Sequence, residues 1–185
     1  YVAGGTYNAP TLHRFDGNDW TSSPLPATLA NLRQLWLDPQ TGALVVVGNT
    51  TQNDTGVFVR TSSTAEWTQL PTNLFSAASA VHGTALDDLY VATSDAVFHH
   101  DSTGWSKVVD NPTDGYFTGL WAASATDVWA VGYDSVILHF DGLSWAVEQN
   151  RNSGWELYAV GGSGPEDVLV VGESGTVLRY GPLNP

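Results

Sequence analysis

A motif of about forty residues returns through this chain, and that periodicity narrows the fold before any other property does. Three segments superimpose without a gap: Ala80 to Asp88, Gly119 to Asp127 and Ala159 to Asp167. Behind each closing Asp comes an apolar run, Leu89 to Ala92, Val128 to Val131 and Val168 to Val171. A short polar turn leads to a second run, Val97 to His100, Ile137 to Phe140 and Val177 to Tyr180. An Asp-x-x-x-Trp turn follows at Asp101 to Trp105 and Asp141 to Trp145, with an earlier copy at Asp16 to Trp20. A looser copy runs from Leu35 to Trp67, with Leu44 to Val47 and Val57 to Arg60 as its two runs. The turn tryptophans Trp20, Trp67, Trp105 and Trp145 are spaced by 47, 38 and 40 residues, the period of a four-stranded propeller blade.

Runs of four to six residues rich in Val, Trp, Phe and Tyr, bounded by Gly, Asp or Ser, read as strands. They are continuous rather than alternating, which implies burial on both faces, as radially packed blades require. A β-sandwich or β-helix is the competing architecture, and a two-layer sandwich would expose one face of each run. The fold expected is therefore all-β, a β-propeller of four-stranded antiparallel blades, about five in this chain with the first and last incomplete. The blades fall at roughly residues 1–30, 31–74, 75–114, 115–153 and 154–185. They make a single domain or the C-terminal part of a larger one. Tyr1 to Gly4 align with Tyr90 to Thr93, so the chain is expected to open inside a second strand. Pro182 and Pro185 resist continued pairing at the other end.

Composition removes several function classes. Six Lys plus Arg stand against 19 Asp plus Glu, a formal net charge of -13. Such a polyanion neither releases counterions from nucleic acid nor adheres to an anionic membrane. No apolar run reaches the length of a membrane-spanning helix. Cys is absent, which excludes disulfides, thiolate metal sites and thiol nucleophiles.

The pattern from Ala159 to Tyr180, Ala-Val-Gly-Gly-Ser-Gly-Pro-Glu-Asp-Val-Leu-Val-Val-Gly-Glu-Ser-Gly-Thr-Val-Leu-Arg-Tyr, resembles repeats of bacterial secreted and surface propellers. These are loosely akin to the Asp-box (BNR) propellers, a group that includes sialidases and photosystem assembly factors. The turns here take four steps from Asp to Trp, whereas the Asp-box takes five. The resemblance implies the fold and is nearly silent on activity, because propellers host many unrelated functions.

Arg14, Arg60, His99, His139 and Arg179 all fall at one repeat position on the third strand of their units. Asp88, Asp127 and Asp167 open the neighbouring strands 11 or 12 residues earlier. Cross-strand pairing of Asp88 with His99, Asp127 with His139 and Asp167 with Arg179 is the structural account, since a partly buried charge needs a partner. A ring of cations holding an anionic ligand is the alternative. Asp16, Asp101 and Asp141 are expected to accept bonds from the backbone two residues on, with the Trp capping the blade edge. Asp110 to Gly115 is acidic, but Pro112 and Trp121 occupy ligand positions of an EF-hand, which leaves only a looser calcium site. Ser163 lacks the second flanking Gly of a nucleophile elbow. The five histidines show no i, i+4 metal spacing. No cofactor is called for.

In a propeller, the loops joining strands two to three and four to one share a face where ligands dock. Tyr7, Asp54, Asp95, Tyr133, Asp134 and Glu173 come from the first loop type; Asp114, Tyr116, Arg151 and Trp155 come from the second. Rings beside polar groups suit protein or sugar contacts. The leading reading is a non-enzymatic extracellular or periplasmic propeller that binds a protein or carbohydrate through Tyr116, Asp114, Trp155, Arg151, Tyr133 and Asp134. Its rivals are a glycoside hydrolase or lyase at the channel mouth and a structural subunit assembling by strand addition. The acidic, Lys-poor surface fits export.

Overall fold

A computed structural model describes residues 1–6, 9–74, 76–148 and 154–181. Tyr7, Arg151, Pro182 and Pro185, named above, lie outside the described residues. The chain divides into two compact units, Tyr1–Ala78 and Ser79–Pro185.

The first unit holds two antiparallel sheets in simple meander order. One is β1 (Val2–Thr6), β2 (Ala9–Phe15) and β3 (Trp20–Pro24). The other is β4 (Leu29–Leu37), β5 (Leu44–Thr50), β6 (Thr55–Arg60) and β7 (Thr68–Leu70). The second unit opens with β8 (Ala78–Ala85), β9 (Asp88–Thr93), β10 (Ala96–Asp101) and β11 (Gly104–Asp110). Its next sheet is β12 (Phe117–Ser124), β13 (Asp127–Gly132), β14 (Ile137–Phe140) and β15 (Trp145–Val147). The last is β16 (Leu157–Gly164), β17 (Asp167–Gly172) and β18 (Val177–Tyr180). Among the described residues there are thus three four-stranded sheets flanked by two three-stranded ones, all antiparallel meanders.

The apolar runs are the second strands, and packing explains their composition. In β9 and β13 every residue after the leading Asp is buried. Alternate residues of β13 serve different cores. Val128 and Ala130 join Tyr90, Ala92 and Val97 of the preceding sheet. Trp129 and Val131 join Leu157, Val168 and Val170 of the following one. In the first unit Leu12 and Ala3 pack in the same way on Leu44, Val46 and Phe58. Fully burying each Val or Leu contributes about 1.5–3 kcal/mol, so a central strand with two covered faces is the most heavily stabilised part of a blade.

First strands carry a β-bulge that the sequence alone does not display. Register shifts fall between Phe117 and Gly119, between Leu157 and Ala159, and between Leu29 and Asn31. There the backbone bends over the end of the second strand. A Cβ on Gly132 would stand on the Tyr116 carbonyl oxygen, so only glycine admits that approach.

Strand register corrects one sequence expectation. Arg60 does not share the position of His99, His139 and Arg179. It lies opposite Leu44, as Phe140 lies opposite Val128 and Tyr180 opposite Val168. The true counterpart of His99 is Val59, opposite Val45. Side chains alternate along a strand, so this one-residue slip turns Arg60 to the other face of its sheet.

Candidate functional site

Three loops of the second unit meet around an aromatic cluster. Tyr116 ends the loop into β12, Tyr133 and Asp134 lie in the single turn between β13 and β14, and Trp155 precedes β16. Backbone bonds clamp these segments. The Tyr133 N–H donates to the Tyr116 carbonyl at 2.9 Å, and the Ser135 N–H donates to the Trp155 carbonyl at 2.9 Å. The Ser135 hydroxyl also donates to that carbonyl and accepts from the Trp155 N–H, both at 3.0 Å. Asp134 and Ser135 take φ of 56° and 59°, left-handed values that non-glycine residues seldom adopt. Such a turn persists only where its surroundings over-determine it, here the Ser135–Trp155 bonds. Gly115 lets the loop approach, since a Cβ there would stand 2.9 Å from Tyr133 Cβ and 3.0 Å from Asp134 Oδ2.

The rings this scaffold presents are open to solvent. Tyr116 is 57% exposed and Trp155 39%, and the Tyr116 and Tyr133 rings meet edge-on at 6.0 Å. Tyr158 is exposed as well and donates to Glu156 Oε2 at 3.4 Å. Desolvation raises its phenol pKa, and the negative charges of Glu156 and Glu173 add to that shift. Glu156 and Tyr158 escape the reading of loops one at a time. Repeat alignment finds Glu156: the Glu173 N–H donates to its carbonyl at 2.8 Å, just as Tyr133 does to Tyr116. Asp114 is exposed in the same loop as Tyr116. That loop is organised by Asn111, whose Nδ2 donates to the Gly115 carbonyl at 3.0 Å and whose Oδ1 accepts from the Thr113 N–H at 3.0 Å. Asp110 is paired with Lys107 Nζ at 2.6 Å. Among the described residues no three His, Asp or Glu side chains converge as metal ligands.

The repeat pairs lie elsewhere, at the start of each second strand. His99 Nε2 stands 2.7 Å from Asp88 Oδ1, and the imidazole stacks on Tyr90 at 4.3 Å. Burial, with Asp88 beside it, pushes the Tyr90 phenol up to about 12. His139 stacks on Trp129 at 3.8 Å, but its Nε2 is 3.6 Å from Asp127 Oδ1, too long for a hydrogen bond. The Trp129 indole N–H takes that oxygen instead, at 2.7 Å. Arg179 Nε donates to Asp167 Oδ1 at 2.9 Å, and the Ser163 hydroxyl donates to the other oxygen at 2.7 Å. These two bonds hold the Asp167 carboxyl below its ordinary range. The carboxylates of Asp88 and Asp167 thus tie second strand to third, whereas that of Asp127 is taken by the indole of its own strand.

The Asp turns are built by the same chemistry. Asp16 Oδ1 accepts from the N–H groups of Asn18 and Asp19 at 2.9 and 3.0 Å. Asp141 Oδ1 accepts from Leu143 and Ser144 at 2.9 and 2.8 Å. Asp101 Oδ1 accepts from the Thr103 N–H at 2.7 Å and its hydroxyl at 2.6 Å.

Sheets of this topology, repeated with alternate faces covered by their neighbours, define a β-propeller, and solved structures agree. The chain is similar to YCF48 from Cyanidioschyzon merolae, with a TM-score of 0.72 and 13% identity over 95% of this chain and 62% of that one. It is similar to YCF48 in a structure of that protein bound to D1 peptide, with a TM-score of 0.69 and 15% identity over 96% and 62%. A chain of the mitotic checkpoint complex matches with a TM-score of 0.68 and 14% identity over 92% and 55%. The chain therefore spans about three fifths of the length of the first two structures it matches. No family model and no curated protein matches the sequence.

Proposed function

We propose that this chain is a non-enzymatic binding module that holds a protein partner on the loops of its second unit. The observation that carries the reading is the set of exposed rings Tyr116, Trp155 and Tyr158, with half-buried Tyr133 against Tyr116, on loops joined through Ser135 and edged by Glu156 and Glu173. Rigid rings supply contact area at low entropic cost and are the usual anchors of an interface. The second unit carries three Lys plus Arg against 14 Asp plus Glu. A segment bearing Lys or Arg suits that field, with its cations over the rings and beside the carboxylates. One similar structure is of YCF48 bound to a peptide, which supports a peptide as occupant of such a fold. We place the setting outside the cytoplasm, at a bacterial surface or in the periplasm, on the acidic, Lys-poor composition and the repeat resemblance.

Peptides of equal length and of basic, neutral or acidic charge, together with neutral oligosaccharides, are titrated into the wild-type chain and Tyr116→Ala/Trp155→Ala. Basic peptides are expected to bind, with a loss of about 30-fold in the double variant and an unchanged melting temperature. Preference for the oligosaccharides would install the glycan reading. A large fall in melting temperature would assign both rings to the core and end the proposal. Turnover of an oligosaccharide would favour the hydrolase rival.

A further inference from the structure

The register of Arg60 exposes a second feature, in the first unit and separate from the loop cluster. Between β3 and the β6–β7 edge runs a crevice of about 530 Å³, lined by Ser23, Ser63, Thr64, Glu66 and Trp67 as well as Arg60. Its counterpart in the second unit, about 590 Å³, lies beside Phe140 and Trp145. There the position of Arg60 is Phe140, which stacks on Trp145 at 5.5 Å. The crevice therefore accommodates an apolar ring, and packing alone does not call for a cation.

Arg60 is 7% exposed, with its guanidinium 4.9 Å over the Trp67 ring. Among the described residues its one hydrogen bond runs from Nη1 to Ser23 Oγ at 3.4 Å, and its buried Nε donates to nothing. No carboxylate among the described residues stands within ion-pair distance, and Glu66, on the same crevice, is exposed and not paired with it. A guanidinium does not escape burial by losing its proton, so a buried one ordinarily finds an anion. The first unit suits one better than the second: three Arg face only five Asp plus Glu.

We propose that this crevice is a carboxylate-binding site, with Arg60 as its cation, Trp67 as its wall and the hydroxyls of Ser23, Ser63 and Thr64 as further donors. A guanidinium fork matches the two oxygens of a carboxylate through parallel N–H···O bonds, a geometry that a spherical anion does not reward. The ligand class is a peptide carboxylate, from a chain terminus or from an acidic side chain.

The test uses the full chain labelled with 15N and follows the Arg60 Nε–Hε resonance, identified by its loss in Arg60→Phe. The probes are N-acetyl-dialanine with a free C-terminus, the same dipeptide amidated, N-acetyl-glutamate with an amidated C-terminus, and sulfate. Saturable shifts from a free-carboxylate probe, at least about tenfold stronger than from the amide or sulfate, are expected. The stronger of the terminal and side-chain probes identifies the source. Equal response to the amidated dipeptide or to sulfate, or no saturable response, would overturn the site. Should Arg60→Phe fail to fold, Ser23→Ala serves instead: weaker carboxylate binding supports the site and unchanged binding counts against it. Failure here leaves the loop-cluster reading standing, because the two share no residue.

Discussion

The sheets β12–β15 and β16–β18 are written in nearly the same code, yet they are buried differently. In β13 the residues from Val128 to Gly132 are all buried. In β17 the same run alternates, with Val168 and Val170 buried but Leu169 and Val171 exposed by 43% and 42%. The difference sits on one face. Trp129 and Val131 are covered by Leu157, Val168 and Val170, while their counterparts Leu169 and Val171 have no such cover among the described residues. An apolar run therefore states what a strand tolerates on both faces, and a neighbouring blade decides whether it is used.

The sharpest way to break this comparison is to truncate the two counterparts. Trp129→Ala is expected to destabilise the chain by about 3–5 kcal/mol, whereas Leu169→Ala costs well under about 1 kcal/mol. Urea unfolding of both variants measures this, and similar losses would show that the two faces are equivalent after all.

A second contrast separates the histidines. His82 accepts the Ala122 N–H at Nδ1 over 3.1 Å, and burial pushes its pKa down to about 4. The unfolded chain takes up that proton near the ordinary value of 6.5 while the folded chain does not. Stability is therefore full above pH 6.5 and declines as pH falls toward 4, by up to about 3 kcal/mol. Replacing His82 with Gln should flatten the pH dependence of the urea midpoint over that window; an unaltered slope would place the acid sensitivity elsewhere.

The repeat pairs sharpen the comparison further. Asp127→Ala removes the acceptor of the Trp129 indole and leaves His139 beside an empty site. The expected loss is about 1–3 kcal/mol. Asp167→Ala, at the more exposed pair, should cost less. Thermal melts of the two variants at one pH test the ranking.

The smallest effect on stability belongs to the open face. Leu169→Lys with Val171→Lys should change the unfolding free energy by no more than about 0.5 kcal/mol. It should nonetheless lower self-association, because exposed contiguous apolar surface drives it. Light scattering of the 185-residue chain against the double variant reads this directly. A wild-type chain that is already monodisperse and monomeric would remove the association argument and the strand-addition rival with it.

Much of this architecture is legible in the residues themselves. The Asp-x-x-x-Trp turns, the gapless alignment and the apolar runs are local patterns, and local patterns declare strands and turns through side-chain chemistry and backbone preference. The Asp turns are legible because an Asp bonds its own backbone two residues on, whatever surrounds it. The face that Arg60 takes is not legible in the sequence, because Val57, Phe58 and Val59 are apolar on both faces and offer no alternation to count. Only the ladder from Leu44 to Arg60 settles which face the guanidinium takes. Glu156 and Tyr158 are not legible as site residues, because only the pairing of β16 with β17 brings them beside Glu173 and Tyr133.

Chain chemistry thus sets the period, the strands, the turn carboxylates and the sign of the charge, all carried by neighbours in sequence. Which ring meets which carboxylate is decided by pairing register and by the blade lying alongside. So is whether Trp129 or His139 takes Asp127, and whether an Arg or a Phe faces a crevice. Those contacts join residues many positions apart, and a shift of a single residue exchanges one face of a strand for the other.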